Sequence, residues 1–168
     1  MRNVAPINDL QPIWLGMLDG VFGVYNKLAI MVTPLPIPQL IEEWLKWAKW
    51  QADPNRSRAD GGEFIGSDEF NWITTEHPEH AWQGILAALN DRRTDAYINI
   101  LAAGPLEDLL SQHGEAFIDR VEAQAAADPR FASLLGGVWQ LQMSEDIWRR
   151  VQAVWDRRGW DGIPEKVG

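Results

Sequence analysis

Apolar residues recur at intervals of three and four through most of the chain beyond residue 37. Trp82, Ile85, Leu86 and Leu89 form one such stripe, which predicts a helix over 78–89 opened by Pro78. A helix starting at Thr94 or Asp95 is expected to stop at Gly104, and Pro105 opens the next at once. Leu106, Leu109 and Leu110 face inward there, and Gly114 closes it. Phe117, Ile118, Val121 and Ala125 carry the period on to Ala127. Asp128-Pro129 then caps and starts a helix with Phe131, Leu134 and Leu135. The last helix begins at a Ser144 cap and buries Ile147, Trp148, Val151, Val154 and Trp155. Its end is expected near Arg158, with Gly159 as the left-handed residue that brings Trp160 onto Trp155.

Upstream, WLKWAKW lies in a helix over 38–51. At ~100° per residue, Trp44 falls in the core arc with Leu40, Ile41 and Ala48. Trp47 falls to one side, and Trp50 reaches the polar face between Glu43 and Lys46. Residues 53–66 have turn composition, and Ser67 is expected to cap a short helix with Asp68 and Glu69 in its first turn. The alternating prolines of TPLPIP (33–38) read as an extended connector, since each fixes its own φ and biases its predecessor away from the helix. They divide a segment 1–36 from a helical domain 37–168. In the first segment Asp19-Gly20 fits a hairpin turn, and a helix from Pro12 onward fits the same residues. The fold class expected is all-α or nearly so: a compact bundle of about six to eight short antiparallel helices, with room for a small N-terminal hairpin.

Composition changes this picture in two ways. The 168 residues include ten tryptophans, a side chain prized in cores and at interface hot spots alike. The net charge is −9, which repels phosphates and anionic membranes and favours basic partners. There is no cysteine, so thiolate metal sites and disulfides are excluded and a reducing, cytoplasmic setting is expected. The apolar stretch 13–32 is interrupted by Asp19, Asn26 and Lys27, and the expectation is a packing segment rather than a membrane span.

LIEEWLKW (40–47), PEHAWQGILAAL, GPLEDLL (104–110), GGVW (136–139) and RGW (158–160) together resemble a bacterial domain family of unknown function, over about residues 37–163. The first 36 residues have no counterpart in that resemblance. It implies a small helical domain and brings no activity, substrate, cofactor or catalytic residue with it.

The chemistry-bearing clusters are few. His77 and His80 form an H-x-x-H, but a zinc site needs three or four converging ligands and Pro78 interrupts the pair, so no metal and no cofactor is expected. Glu107, Asp108 and His113 are weak candidates for acid–base catalysis, and helix-end electrostatics explains all three without it. No phosphate-binding loop or nucleophile elbow occurs. Arg149, Arg150, Arg157 and Arg158 form a basic strip, for which pairing within the chain is expected rather than DNA binding.

Acids are more informative. Asp53, Asp60, Glu63, Asp68, Glu69, Glu76 and Glu79 oppose only Arg56 and Arg58 between positions 53 and 79. The leading expectation is therefore a non-catalytic acidic protein-binding module, an immunity-type or inhibitor protein of a bacterium or phage that neutralises a toxin, nuclease or defence complex. Its contact residues would be Trp50, Glu63, Asp68, Glu69, Glu76 and Glu79, its partner a protein with a basic surface. The alternatives are a hydrolytic enzyme using Glu107, Asp108 and His113, and a structural or oligomerisation protein acting through residues 13–32.

Overall fold

The computed structural model describes residues 33–57 and 65–160. The chain divides into two units, Met1–Thr33 and Pro34–Gly168. The N-terminal hairpin or helix, the 13–32 segment and Glu63 lie outside the described residues.

Among the described residues the architecture is all-α. Helix α1 spans Ile37–Ala52, α2 Ile65–Glu76 and α3 Pro78–Asn90. A 3-10 turn, Arg92–Tyr97, leads into α4, Ile98–Leu101. A π turn, Ala102–Leu106, then runs straight into α5, Glu107–Ala127. The short α6, Pro129–Leu135, and α7, Glu145–Val154, complete the bundle. No helix among these residues is long and apolar enough to cross a membrane.

The core follows the apolar stripes. Trp44, Leu40, Ile73, Ile85, Leu89, Leu109, Leu110, Ile118, Phe131 and Leu134 are fully buried or nearly so. Trp82 ties three helices together, with the Phe117 and Phe131 rings 5.9 and 5.5 Å away. Gly66 makes the α1–α2 crossing possible: a Cβ there would stand 2.3 Å from the Glu43 carbonyl carbon and the Trp44 nitrogen. Only a residue without a side chain lets the two backbones approach so closely.

Several helix boundaries depart from the expected ones, each for a local reason. Ser67 does not cap α2, which is already helical from Ile65 and so carries Ser67 inside it. Gly104 does not end a helix. The π turn widens the backbone around Pro105, whose missing N–H is accommodated there without a break. Gly114 likewise marks a kink rather than an end: His113 departs from helical geometry (φ −132°, ψ 20°) while α5 continues. Gly114 is buried at that kink, and a Cβ would stand 2.9 Å from the Ile147 side chain of α7.

The C-terminal clasp is also built differently. Helix α7 stops at Val154, and Trp155 is extended (ψ 154°). Trp155 packs edge-on against Trp148, ring centroids 5.2 Å apart, instead of against Trp160. Gly159 does have positive φ (93°), but in a turn closed by the Trp160 N–H donating to the Arg157 carbonyl. Trp160 lies instead over Gly136-Gly137, where a Cβ on Gly137 would be 2.4 Å from the indole. Its Nε1 donates to the Ser133 carbonyl at 2.8 Å. The GGVW and RGW sequences therefore meet as a glycine platform and the indole that covers it.

Two side chains fix the connector. Leu35 is buried between Pro34 and Pro36, neither of which has an N–H to offer. Its own N–H donates to Glu69 Oε1 at 2.7 Å, and its carbonyl lies 2.8 Å from His80 Nε2. Both backbone groups of the residue are thereby satisfied by side chains of α2 and α3.

Candidate functional site

Ion pairing organises the acidic surface. Arg93 bridges Asp91 and Glu42, and Arg150 bridges Asp119 and Glu122. Arg120 pairs with Glu79, Arg130 with Asp95, Arg149 with Asp146, Arg158 with Asp156 and Lys46 with Glu43. Arg157 lies over the Trp155 ring at 4.8 Å. The basic strip of the last helix is thus spent within the chain, as its composition led us to expect. These pairs hold Glu42, Asp91 and Glu122 below the ordinary carboxylate range, and Asp156 at about 2, through hydrogen bonds from their arginines.

Other carboxylates are held by the backbone. Glu69 takes the Leu35 N–H, and Glu107 takes the Trp139 N–H at 2.8 Å. Both are buried, and burial pushes both pKa values up against those bonds. What remains unpaired among the described residues is Asp68, Glu76, Asp108 and Glu115, with neither a hydrogen bond nor an ion pair at the carboxylate.

All four stand on α2 and α5, which meet at two points. On α2, Thr75 is seven residues beyond Asp68, about two turns, and lies within about 20° of it, with Glu76 about 80° round. On α5, Asp108, Gln112 and Glu115 repeat at four and three. The Thr75 hydroxyl lies 3.1 Å from Gln112 Oε1, which joins the two flanks at their middle. Asp68 and Asp108 line a common cavity at their head. Helices α2 and α5 therefore run side by side in the same direction, with acids at both ends of the strip.

The cavity measures about 240 Å³. Trp44, Trp47 and Phe70 supply apolar walls, with Ser67, Asn71, Gly104 and Pro105 between them and the two aspartates. Asp68 is exposed, whereas Asp108 is partly withdrawn and its pKa is raised by desolvation. A cavity with aromatic walls and carboxylates that lack counter-ions is chemically suited to a cation. A second cavity of about 320 Å³ lies beside the glycine platform, lined by Asn99, Val138, Trp139, Arg157 and Trp160 among others. Trp139, in its lining, and Leu141 are exposed large apolar side chains, and Leu141 has positive φ (41°).

The contact residues expected from the sequence divide accordingly. Asp68 and Glu76 stand on the unpaired strip. Glu79 is exposed but engaged by Arg120. Glu69 is corrected outright: it is 4% exposed and faces Leu35, because α2 turns it inward one residue after Asp68. Trp50 is half-buried, with the Arg56 guanidinium 6.0 Å from its ring centre, so it is not the open indole that the helical wheel suggests. The half-buried indole that does line a cavity is Trp47. Asp108 and Glu115 belong to a second acid-rich stretch, 95–128, where seven acids oppose Arg120 alone, but they were not among the contact residues expected. The periodicity that joins them to α2 crosses Gly114, which reads as a helix end.

Glu107, Asp108 and His113 have separate surroundings. Glu107 faces the Trp139 backbone, Asp108 the α1–α2 cavity, and His113 sits at the kink with Nε2 buried and unpartnered. His77 and His80 also diverge: His77 meets the Trp72 ring edge-on at 4.9 Å, and His80 meets Leu35.

An all-α domain with an unpaired acidic strip is the class that fold and site define. Residues 55–159, more than half of the chain, match a family of unknown function (DUF6869), and the chain belongs to that family. The match starts inside the loop after α1, later than the resemblance beginning at residue 37, and includes GPLEDLL and GGVW. No curated protein and no solved structure matches the chain.

Proposed function

We propose that the chain is a non-catalytic binding module that docks a basic protein through the α2–α5 strip. One observation carries the reading: the described carboxylates with neither a hydrogen bond nor an ion pair all stand on one pair of helices, α2 and α5. A random acidic coat would leave unpaired carboxylates on every face. Charge of one sign on adjacent helices steers a partner of opposite sign and fixes its register. The strip is apolar only at its head, where Trp47 and the cavity offer a desolvated centre of the kind that concentrates binding energy. An inhibitor or immunity-type role, neutralising a basic toxin, nuclease or defence complex, is the form of this reading that we favour. A surface that presents spaced negative charge competes with the phosphates such a partner binds.

The test compares capture from the source cells by the wild-type chain and by Asp68→Asn/Glu76→Gln/Asp108→Asn/Glu115→Gln. The expected result is a specific protein with a basic surface, retained by the wild type, released by salt and lost with the variant. A partner held equally by both forms would overturn the proposal.

A further inference from the structure

We propose that the cavity beside the glycine platform binds a small aromatic carboxylate, an anion with a flat apolar body. The site is separate from the α2–α5 strip and does not rest on the docking reading. Its charge is opposite to that of the strip. Arg157 is the one charged side chain in its lining, and no carboxylate lines it. In a chain of net charge −9, a cavity whose only charge is positive runs against the composition.

Arg157 is also left without a counter-ion. Its neighbour Arg158 takes the Asp156 carboxylate, through Nε at 2.9 Å and a terminal nitrogen at 2.6 Å. Arg157 has neither a hydrogen bond nor an ion pair at its side chain among the described residues, and its guanidinium carbon lies over the Trp155 ring at 4.8 Å. A guanidinium lying over a ring keeps N–H groups at its edge for an acceptor, and a carboxylate matches that edge with two parallel bonds. Its single positive charge balances a monoanion. A phosphate dianion would keep an uncompensated charge in an acidic molecule. The exposed Asn99 adds a side-chain amide that bonds no described residue and can donate to the same anion.

The apolar walls have surface to offer. Trp139 is 53% exposed, Ala103 is exposed, and Gly137 and Trp160 are half-buried. Each wall is held by a contact of its own. The Trp139 N–H donates to Glu107 Oε2 at 2.8 Å. The Trp160 indole is fixed against Gly137, and its Nε1 donates to the Ser133 carbonyl. The turn carrying Arg157 is closed by the Asp156 N–H on the Ala132 carbonyl at 2.8 Å and by the Trp160 N–H on the Arg157 carbonyl at 3.0 Å. Walls ordered in advance lose little freedom when a ligand arrives. At about 320 Å³ the cavity stands at the lower end of the range for small-molecule sites, about 300–1,000 Å³, and suits one or two fused rings.

The experiment titrates the full chain with 2-naphthoate and follows the indole N–H resonances of Trp139 and Trp160. Two comparators separate charge from shape: 2-naphthamide has the rings without the charge, and cyclohexanecarboxylate has the charge without a flat ring. We expect one saturable event that shifts both indoles, with each comparator binding about tenfold more weakly or worse. Arg157→Gln should weaken naphthoate binding by about tenfold or more, as loss of a charge-assisted contact does, and Arg157→Lys by less. Trp139→Ala removes an exposed wall without touching the core. It should weaken naphthoate and naphthamide alike and leave the preference for the anion in place, so it remains informative if Arg157→Gln disturbs the Trp155 stack. Unsaturable shifts, shifts that spare both indoles, equal binding of naphthamide, or full-strength binding by Arg157→Gln would overturn the proposal.

The strip and this cavity stand or fall separately. Asp68→Asn/Glu76→Gln/Asp108→Asn/Glu115→Gln removes the charge of the strip and should bind naphthoate no more weakly than the wild type. Loss of naphthoate binding in that variant would contradict the assignment of the site to Arg157.

Discussion

Single residues bear unequal weight here, and three glycines show the range. Gly66 faces backbone at 2.3 Å, Gly136 faces the Asp156 carbonyl oxygen at 2.3 Å, and Gly104 faces nothing. Gly66→Ala and Gly136→Ala should each cost about 1–3 kcal/mol, the usual penalty of overpacking where backbone must move. Gly104→Ala should be neutral or stabilising by up to about 1 kcal/mol, since it restricts the unfolded chain. Urea denaturation of the three variants checks the contrast; equal costs would mean the helix spacings are softer than described. Composition alone does not rank these glycines, because the distance to a neighbouring backbone is a tertiary quantity. Glu69 and Asp68 teach the same lesson. They are adjacent acids in one helical turn, yet one is 4% exposed and holds Leu35, while the other lies open at a cavity.

At the level of elements, the stripes that are long and regular were legible. The α3 stripe, the Asp128 and Ser144 caps and the proline-led starts of α3 and α6 stand where their residues place them. Glycine punctuation was read too strongly. Gly104 and Gly114 sit in a π turn and at a kink within one continuous helical run, because neighbouring helices supply the packing that a lone helix would lack at those points. That misreading hid the α2–α5 strip, whose α5 half spans the kink. The Leu35 clamp was equally invisible, since no local pattern announces that a connector's backbone will be bonded by side chains 34 and 45 residues away. Glu69→Ala should leave the buried Leu35 N–H without an acceptor and cost about 1–3 kcal/mol. Hydrogen exchange at the Leu35 amide is the specific readout: protection should fall more there than in α5.

For the molecule as a whole, two sets of carboxylates pull the pH dependence in opposite directions. Glu69, Glu107 and Asp108 are raised by burial, so the stability they contribute is complete below the ordinary carboxylate range and is lost as pH rises through their folded values. Glu42, Asp91, Glu122 and Asp156 are lowered by arginine, so their contribution is present above that range and lost as pH falls through their folded values. The net charge of −9 adds self-repulsion at high pH. Tm should therefore rise as pH falls from ~8 to ~5 and drop once the arginine-paired acids protonate, below ~3. In Asp108→Asn the rise should be shallower, so that the variant gains on the wild type as pH increases. Parallel pH profiles for the two proteins would show that Asp108 is not desolvated as described.

The central claim is that the unpaired strip, and no other acidic surface, meets the partner. Carbodiimide coupling within the captured complex tests it most directly, because it joins carboxylates to the partner's lysines only where they touch. Peptide mapping should place the cross-links at Asp68, Glu76, Asp108 and Glu115. Cross-links confined to acids already paired with arginine, such as Glu42, Asp91 and Asp119, would contradict the account.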